Sequence, residues 1–256
     1  MTAGPAGADF LDLPARAAKP RRVGITHALD RGLGVGELES MLGQAGPFVD
    51  IVKFGWGTAY VSPTIAEKVA CCRRHRVRVC LGGTLLEIAE AQGRTRQLVA
   101  WVRELGVDCV EISNGALGMP AQRKLELVAQ LSADFTVLAE VGSKRPVTPS
   151  ASEWIAEMTA DLDAGASWVV AEGRESGSVG LYDEAGTIRQ PLLAEILAAV
   201  GGERVIFEAP RREQQAVLIG RLGPDVNLGN VATDQVISLE TLRVGLRADT
   251  VSLSCS

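Results

Sequence analysis

Charged and amide side chains in this chain gather at one kind of position, the ends of short apolar runs. Lys53, Glu111, Glu140, Glu172 and Glu208 each stand at or beside such an end, and Asp30, Asn114, Lys144 and Arg174 fall within the next few residues of their runs. A charge at the edge of a low-dielectric interior is costly unless a counter-charge or a metal ion meets it. The four glutamates with Asp30 are more negative charge than one site holds uncompensated. A hard divalent cation, Mg2+, would offset them. It would be held among Glu111, Glu140, Glu172 and Glu208, not all of which need be ligands, with waters and substrate oxygens completing its shell. Lys53, Lys144 and Arg174 add positive charge. With the metal, they describe a site for a small anionic substrate.

Such a site needs elements that bring distant segments to one rim. Apolar, β-branched runs recur near Val23–Ala28, Val49–Phe54, Val77–Leu81, Cys109–Ser113, Phe135–Glu140, Trp168–Glu172, Arg204–Glu208 and Val226–Leu228. Between them, apolar residues at helical spacing predict helices over Gly36–Ala45, Pro63–Arg74, Leu85–Leu105, Ala121–Ser132, Glu153–Ala164, Pro191–Val200, Gln214–Leu222 and Ser238–Leu246. Ser62-Pro63 reads as a helix start, and Leu105-Gly106 and Ala164-Gly165 read as stops. Strict alternation of strand and helix predicts a single-domain α/β fold, a (β/α)8 TIM barrel over residues 21–250. A flexible arm (1–20) and a short tail (251–256) flank it.

In a barrel the strand C-termini and the loops after them converge on one mouth. The polar residues fall there strand by strand: Asp30, Lys53, then Gly83 and Thr84, Glu111 and Asn114, Glu140 and Lys144, Glu172 and Arg174, Glu208, and finally Asn227 and Asn230. Phosphate sites in barrels often use the last two loops, which makes Arg211, Asn227 and Asn230 candidate phosphate contacts. His27 fits either acid–base chemistry or a plain hydrogen-bonding role.

Composition narrows the classes further. The net charge of -5, with scattered basic residues, argues against a nucleic-acid surface. The run Arg73, Arg74, His75, Arg76, Arg78 reads as the exposed end of a helix. Five cysteines without metal-ligand spacing suggest a reducing cytoplasm, and no stretch is long and apolar enough for a membrane span.

The segments "VKFGWGT" (52–58), "GGTLLE" (82–87), "EISNG" (111–115), "EVGSKRP" (140–146), "EGRESG" (172–177), "IFEAP" (206–210), "VNLGN" (226–230) and "ISLETLRVGLRADT" (237–250) together resemble the phosphosulfolactate synthase family. The resemblance implies a (β/α)8 lyase that uses Mg2+ to add sulfite to phosphoenolpyruvate. The lysine after "EVG", here Lys144, would be the proton donor, and Lys53 and Arg174 would bind the anionic groups. A homo-oligomer is expected. The chain departs from the family pattern at Asn114, where the family has Asp, at Val244 in place of Arg, at Ala248 in place of Gly, and at Ser143. These departures leave open a different nucleophile or enol phosphate, or a non-catalytic scaffold or stress-associated barrel.

Overall fold

The computed structural model describes residues 10–142 and 149–255. Eight strands, β1 (Thr26–Asp30), β2 (Ile51–Phe54), β3 (Arg78–Leu81), β4 (Cys109–Ile112), β5 (Thr136–Val141), β6 (Trp168–Ala171), β7 (Val205–Glu208) and β8 (Leu228–Ala232), close into a barrel in chain order. Every neighbouring pair is parallel. Among the described residues ten helices wrap it: α1 (Val35–Ala45), α2 (Thr58–Val61), α3 (Ile65–Arg74), α4 (Gly83–Ala91), α5 (Thr95–Leu105), α6 (Ala121–Leu131), α7 (Ala151–Asp163), α8 (Gln190–Ala199), α9 (Arg212–Leu222) and α10 (Val236–Arg243). The fold is the expected (β/α)8 barrel.

Strand parity builds two cores. One set of strand residues, including Val52, Phe54, Val110, Val137, Val169 and Phe207, packs outward under the helices. The alternate set, Ile25, Ile51, Cys80, Cys109, Leu138, Trp168, Val170 and Ile206, fills the barrel interior. Successive strand residues face opposite ways, so Lys53, Glu111, Glu140, Glu172 and Glu208, two positions beyond Ile51, Cys109, Leu138, Val170 and Ile206, share the interior side one layer nearer the mouth.

Elements differ from the sequence expectation at several places; the first strand lies at Thr26–Asp30 rather than Val23–Ala28. The single helix expected over Leu85–Leu105 is two, α4 and α5, broken where Gly93 takes a positive φ of 65°. Ser62-Pro63 does not cap α3; Ser62 ends the short helix α2, and α3 begins at Ile65. The last strand lies at Leu228–Ala232 rather than Val226–Leu228, because Asn227, Gly229 and Asn230 are poor strand formers that hide its run.

The N-terminal end of the barrel is a polar floor. Arg243, fully buried, donates to the carbonyls of Pro224 (2.5 Å), Val226 (2.7 Å) and Ile25 (3.1 Å). Residues 10–24 carry no helix or strand before β1, yet Arg16 pairs with Asp225 and Glu240, and Arg21 with Asp50, below the strands. Among the described residues no helix is long and apolar enough to cross a membrane.

Candidate active site

Lys53 stands at the centre of the mouth. Its Nζ lies 2.6 Å from Glu111 Oε2, 3.6 Å from Glu208 Oε1 and 4.0 Å from Glu140 Oε2, and all four side chains are buried. Burial opposes the ammonium charge, but Glu111, Glu208 and Glu140 outweigh it and hold its pKa above the usual lysine value. The same burial pushes the Glu208 carboxyl up to about 7; Lys53 pulls the other way, while Glu140 and Glu111 add to the rise. One cation thus faces three buried carboxylates and offsets part of their charge.

Two of these carboxylates are also tied to backbone N–H groups. Glu111 Oε1 accepts from Gly83 N at 2.9 Å, at the first residue of α4. Glu208 Oε2 accepts from Gly173 N (2.9 Å) and Arg174 N (2.8 Å), where the long loop leaves β6. Behind β5, the buried Lys124 donates to the Glu140 carbonyl at 2.8 Å and pairs with Asp161 and Glu157 at 2.7 Å each. Glu172 is buried, with Oε1 3.4 Å from Arg174 Nε. Glu87 accepts from Ser113 Oγ and from the N–H groups of Gly115, Ala116 and Leu117, fixing the loop after β4.

A cavity of about 340 Å3 opens above this cluster, lined by Lys53, Gly83, Thr84, Glu111, Glu140, Glu172, Arg174, Glu208 and Asn230 together with Leu29, Trp56, Glu175 and Ser176. Three of these, Trp56 (φ 52°), Arg174 (φ 55°) and Asn230 (φ 53°), adopt the left-handed backbone that non-glycine residues avoid. Such strain gathers where side chains must be aimed. Asn230 Oδ1 is buried with no hydrogen-bond partner among the described residues.

Four expected contacts do not reach the cavity. Asp30 is fully buried at the β1 turn, where Oδ1 accepts from Gly32 and Leu33 and Oδ2 pairs with Lys68 at 2.7 Å. Asn227 is at the floor, bonding Ile25 N and the carbonyls of Glu203 and Val205. Arg211 donates to the carbonyls of Ser176 and Ala185. Asn114 donates to Met119 O within its own loop. Lys144 lies outside the described residues. The four glutamates expected around a metal all line the cavity, and among the described residues no three of them bring carboxylate oxygens within 4.8 Å of one another. Lys53 occupies the space between three of them.

His27 is buried with both ring nitrogens lacking hydrogen-bond partners among the described residues; burial first, and Lys53 second, hold its pKa well below the usual value. It is therefore neutral. The basic run forms a surface network, with Arg74 and His75 both on Glu39.

The chain matches the family model described as (2R)-phospho-3-sulfolactate synthase (ComA) over residues 14–249. It is 40% identical to the phosphosulfolactate synthase of Methanothermobacter thermautotrophicus, covering 95% of this chain and 96% of that one. This chain belongs to the phosphosulfolactate synthase family. The enzyme of the same name from Bacillus subtilis is 37% identical, over 96% of this chain and 99% of its own. A 3-hexulose-6-phosphate synthase structure shares the fold at a TM-score of 0.54 and 15% identity, covering 86% of this chain and 98% of that one.

Three departures from the family pattern, Asn114, Val244 and Ala248, do not line the cavity, and the fourth, Ser143, lies outside the described residues. Val244 follows Arg243 at the floor end of α10, its carbonyl bonded by Ser254 Oγ, and Ala248 is exposed. Six lining residues went unassigned from sequence: Leu29, Gly55, Trp56, Gly82, Glu175 and Ser176. Trp56 sits in "VKFGWGT", and Glu175 and Ser176 directly follow Arg174 in "EGRESG", so those segments held the signal.

Proposed function

We propose that this chain adds sulfite to phosphoenolpyruvate, making 2-phospho-3-sulfolactate. The observation that carries the reading is Lys53, held among Glu111, Glu140 and Glu208 in the cavity that Arg174 and Asn230 also line. The sulfite sulfur forms a bond to the methylene carbon while the π electrons of the double bond move through the next carbon into the carboxylate. A proton then reaches the carbon that bears the phosphate. Lys53, kept charged by its neighbours, suits electrostatic stabilisation of that spreading negative charge rather than proton donation. Arg174 holds an anionic group of the substrate from above. Proton delivery is assigned to Lys144, four positions past Glu140, on the family resemblance.

Mg2+ fits in a reduced form: one or two carboxylates, with Glu172 and the unsatisfied Oδ1 of Asn230 as the candidate protein donors and waters or substrate oxygens for the rest. When bound it would polarise the substrate carboxylate. With five free cysteines, four of them buried, we place the enzyme in the cytoplasm. The test is phosphoenolpyruvate consumption by the purified protein with Mg2+. Consumption that requires sulfite and stops with a chelator supports the proposal; none across a range of pH and metals removes it.

A further inference from the structure

The loop that leaves β6 carries Arg174, Glu175 and Ser176 to the cavity and then runs on to Arg189 before α8. It is fastened from a single neighbouring unit, β7 and the start of α9. Glu208 accepts from Gly173 N and Arg174 N, and the Tyr182 hydroxyl donates to the Glu208 carbonyl at 2.6 Å. One turn further on, Gln214, 2% exposed, donates to the carbonyls of Gly177 (2.7 Å) and Gly186 (3.1 Å), bridging the two limbs of the loop. Arg211 spans the same limbs, donating to Ser176 O (2.7 Å) and Ala185 O (3.3 Å), and its own N–H donates to Gln214 Oε1 at 3.2 Å. The fit leaves no room for side chains: a Cβ on Gly177, at φ 59°, would meet the Gln214 amide at 2.6 Å.

We propose that Gln214, with Arg211 beside it, is a positioning residue that holds Arg174 over the cavity. The inference rests on the reading of Arg174 as a substrate contact. Arg174 sits in strained left-handed backbone and is tethered before its own position by Glu208 and just after it by this clamp. Without the second tether the loop relaxes, and the guanidinium spends less time where an anion needs it. Gln214 is neutral and buried, so it has no charge of its own to offer a substrate.

Two measurements on Gln214→Met, which keeps length and removes the donors, test this. Hydrogen exchange of the amides in residues 173–186 reads the clamp without substrate, and should speed up about tenfold. The KM for phosphoenolpyruvate should rise about tenfold with kcat within about twofold, the signature of lost uniform binding. Arg211→Ala, at an exposed position where folding is not at stake, should move both readouts in the same direction, and the double variant should fall short of the product of the single effects. Unchanged exchange in Gln214→Met overturns the clamp whatever the activity. Faster exchange with an unchanged KM overturns the positioning role. A wild type inactive on phosphoenolpyruvate, with faster exchange in Gln214→Met, supports the clamp and removes the substrate assignment of Arg174 instead.

Discussion

At the floor of the barrel the guanidinium of Arg243 is fully buried and donates to three backbone carbonyls, while at the mouth the ammonium of Lys53 is ringed by the carboxylates of Glu111, Glu140 and Glu208. Both are buried cations. The carbonyls that Arg243 meets at the floor are neutral, fixed and part of the chain's own closure. The partners at the mouth are charged and shift one another's pKa values, and three residues around them sit in left-handed backbone. A cation satisfied by backbone dipoles closes the barrel, whereas one set among carboxylates that open onto a cavity is placed to act on a ligand. The difference separates a structural use of burial from a chemical one.

Substitutions at the two ends should therefore read out differently. Lys53→Met removes the central charge and should lower sulfite-dependent turnover roughly 1000-fold, the size of loss typical for a lost charge-stabilising group; turnover within tenfold of wild type would erase the contrast. Arg243→Met at the floor leaves three carbonyls without their donor and should cost about 3 kcal/mol in urea unfolding, with turnover of the folded protein within about twofold. Arg174→Ala should raise the KM for phosphoenolpyruvate about thirtyfold, some 2 kcal/mol, measured in the same assay.

The pH response sharpens the comparison. Glu208 in the folded protein loses its proton near pH 7 against about 4.5 for an ordinary carboxyl. Between those values the native state holds a proton that the unfolded chain has released, so its contribution makes stability fall as pH rises through that window. Denaturation curves at pH 5 and pH 7 should show that fall in the wild type and a shallower one in Glu208→Gln. The smallest effect expected is at Val244: Val244→Arg, which restores the family residue at the floor, should leave kcat/KM within about twofold, since the position lies outside the cavity.

Much of this was legible in the sequence because parallel strands buried on both faces read as unbroken apolar runs, and a charge two positions past an interior residue must point inward as well. That logic brings Lys53, Glu111, Glu140, Glu172 and Glu208 to one cavity. It fails for Asn227 and Asn230, three residues apart and both amides, because only the register of β8 tells which is at the floor and which at the mouth. Asp30 reads as a free carboxylate until α3 supplies Lys68, a partner 38 positions away. Sequence supplies charges without their distances, so it could not show that Lys53 stands among three of the four glutamates. Gln214 gave no sign at all: a neutral residue in the first turn of a helix has no local pattern that marks what its amide will hold.

The most direct test is the diffraction structure of crystals soaked with phosphoenolpyruvate and Mg2+. The account predicts the ligand in the cavity after the strand ends, its phosphate or carboxylate in contact with Lys53 and Arg174. Density for the ligand on the Arg73–Arg78 surface, or a cavity that stays free of it under saturating conditions, would contradict it.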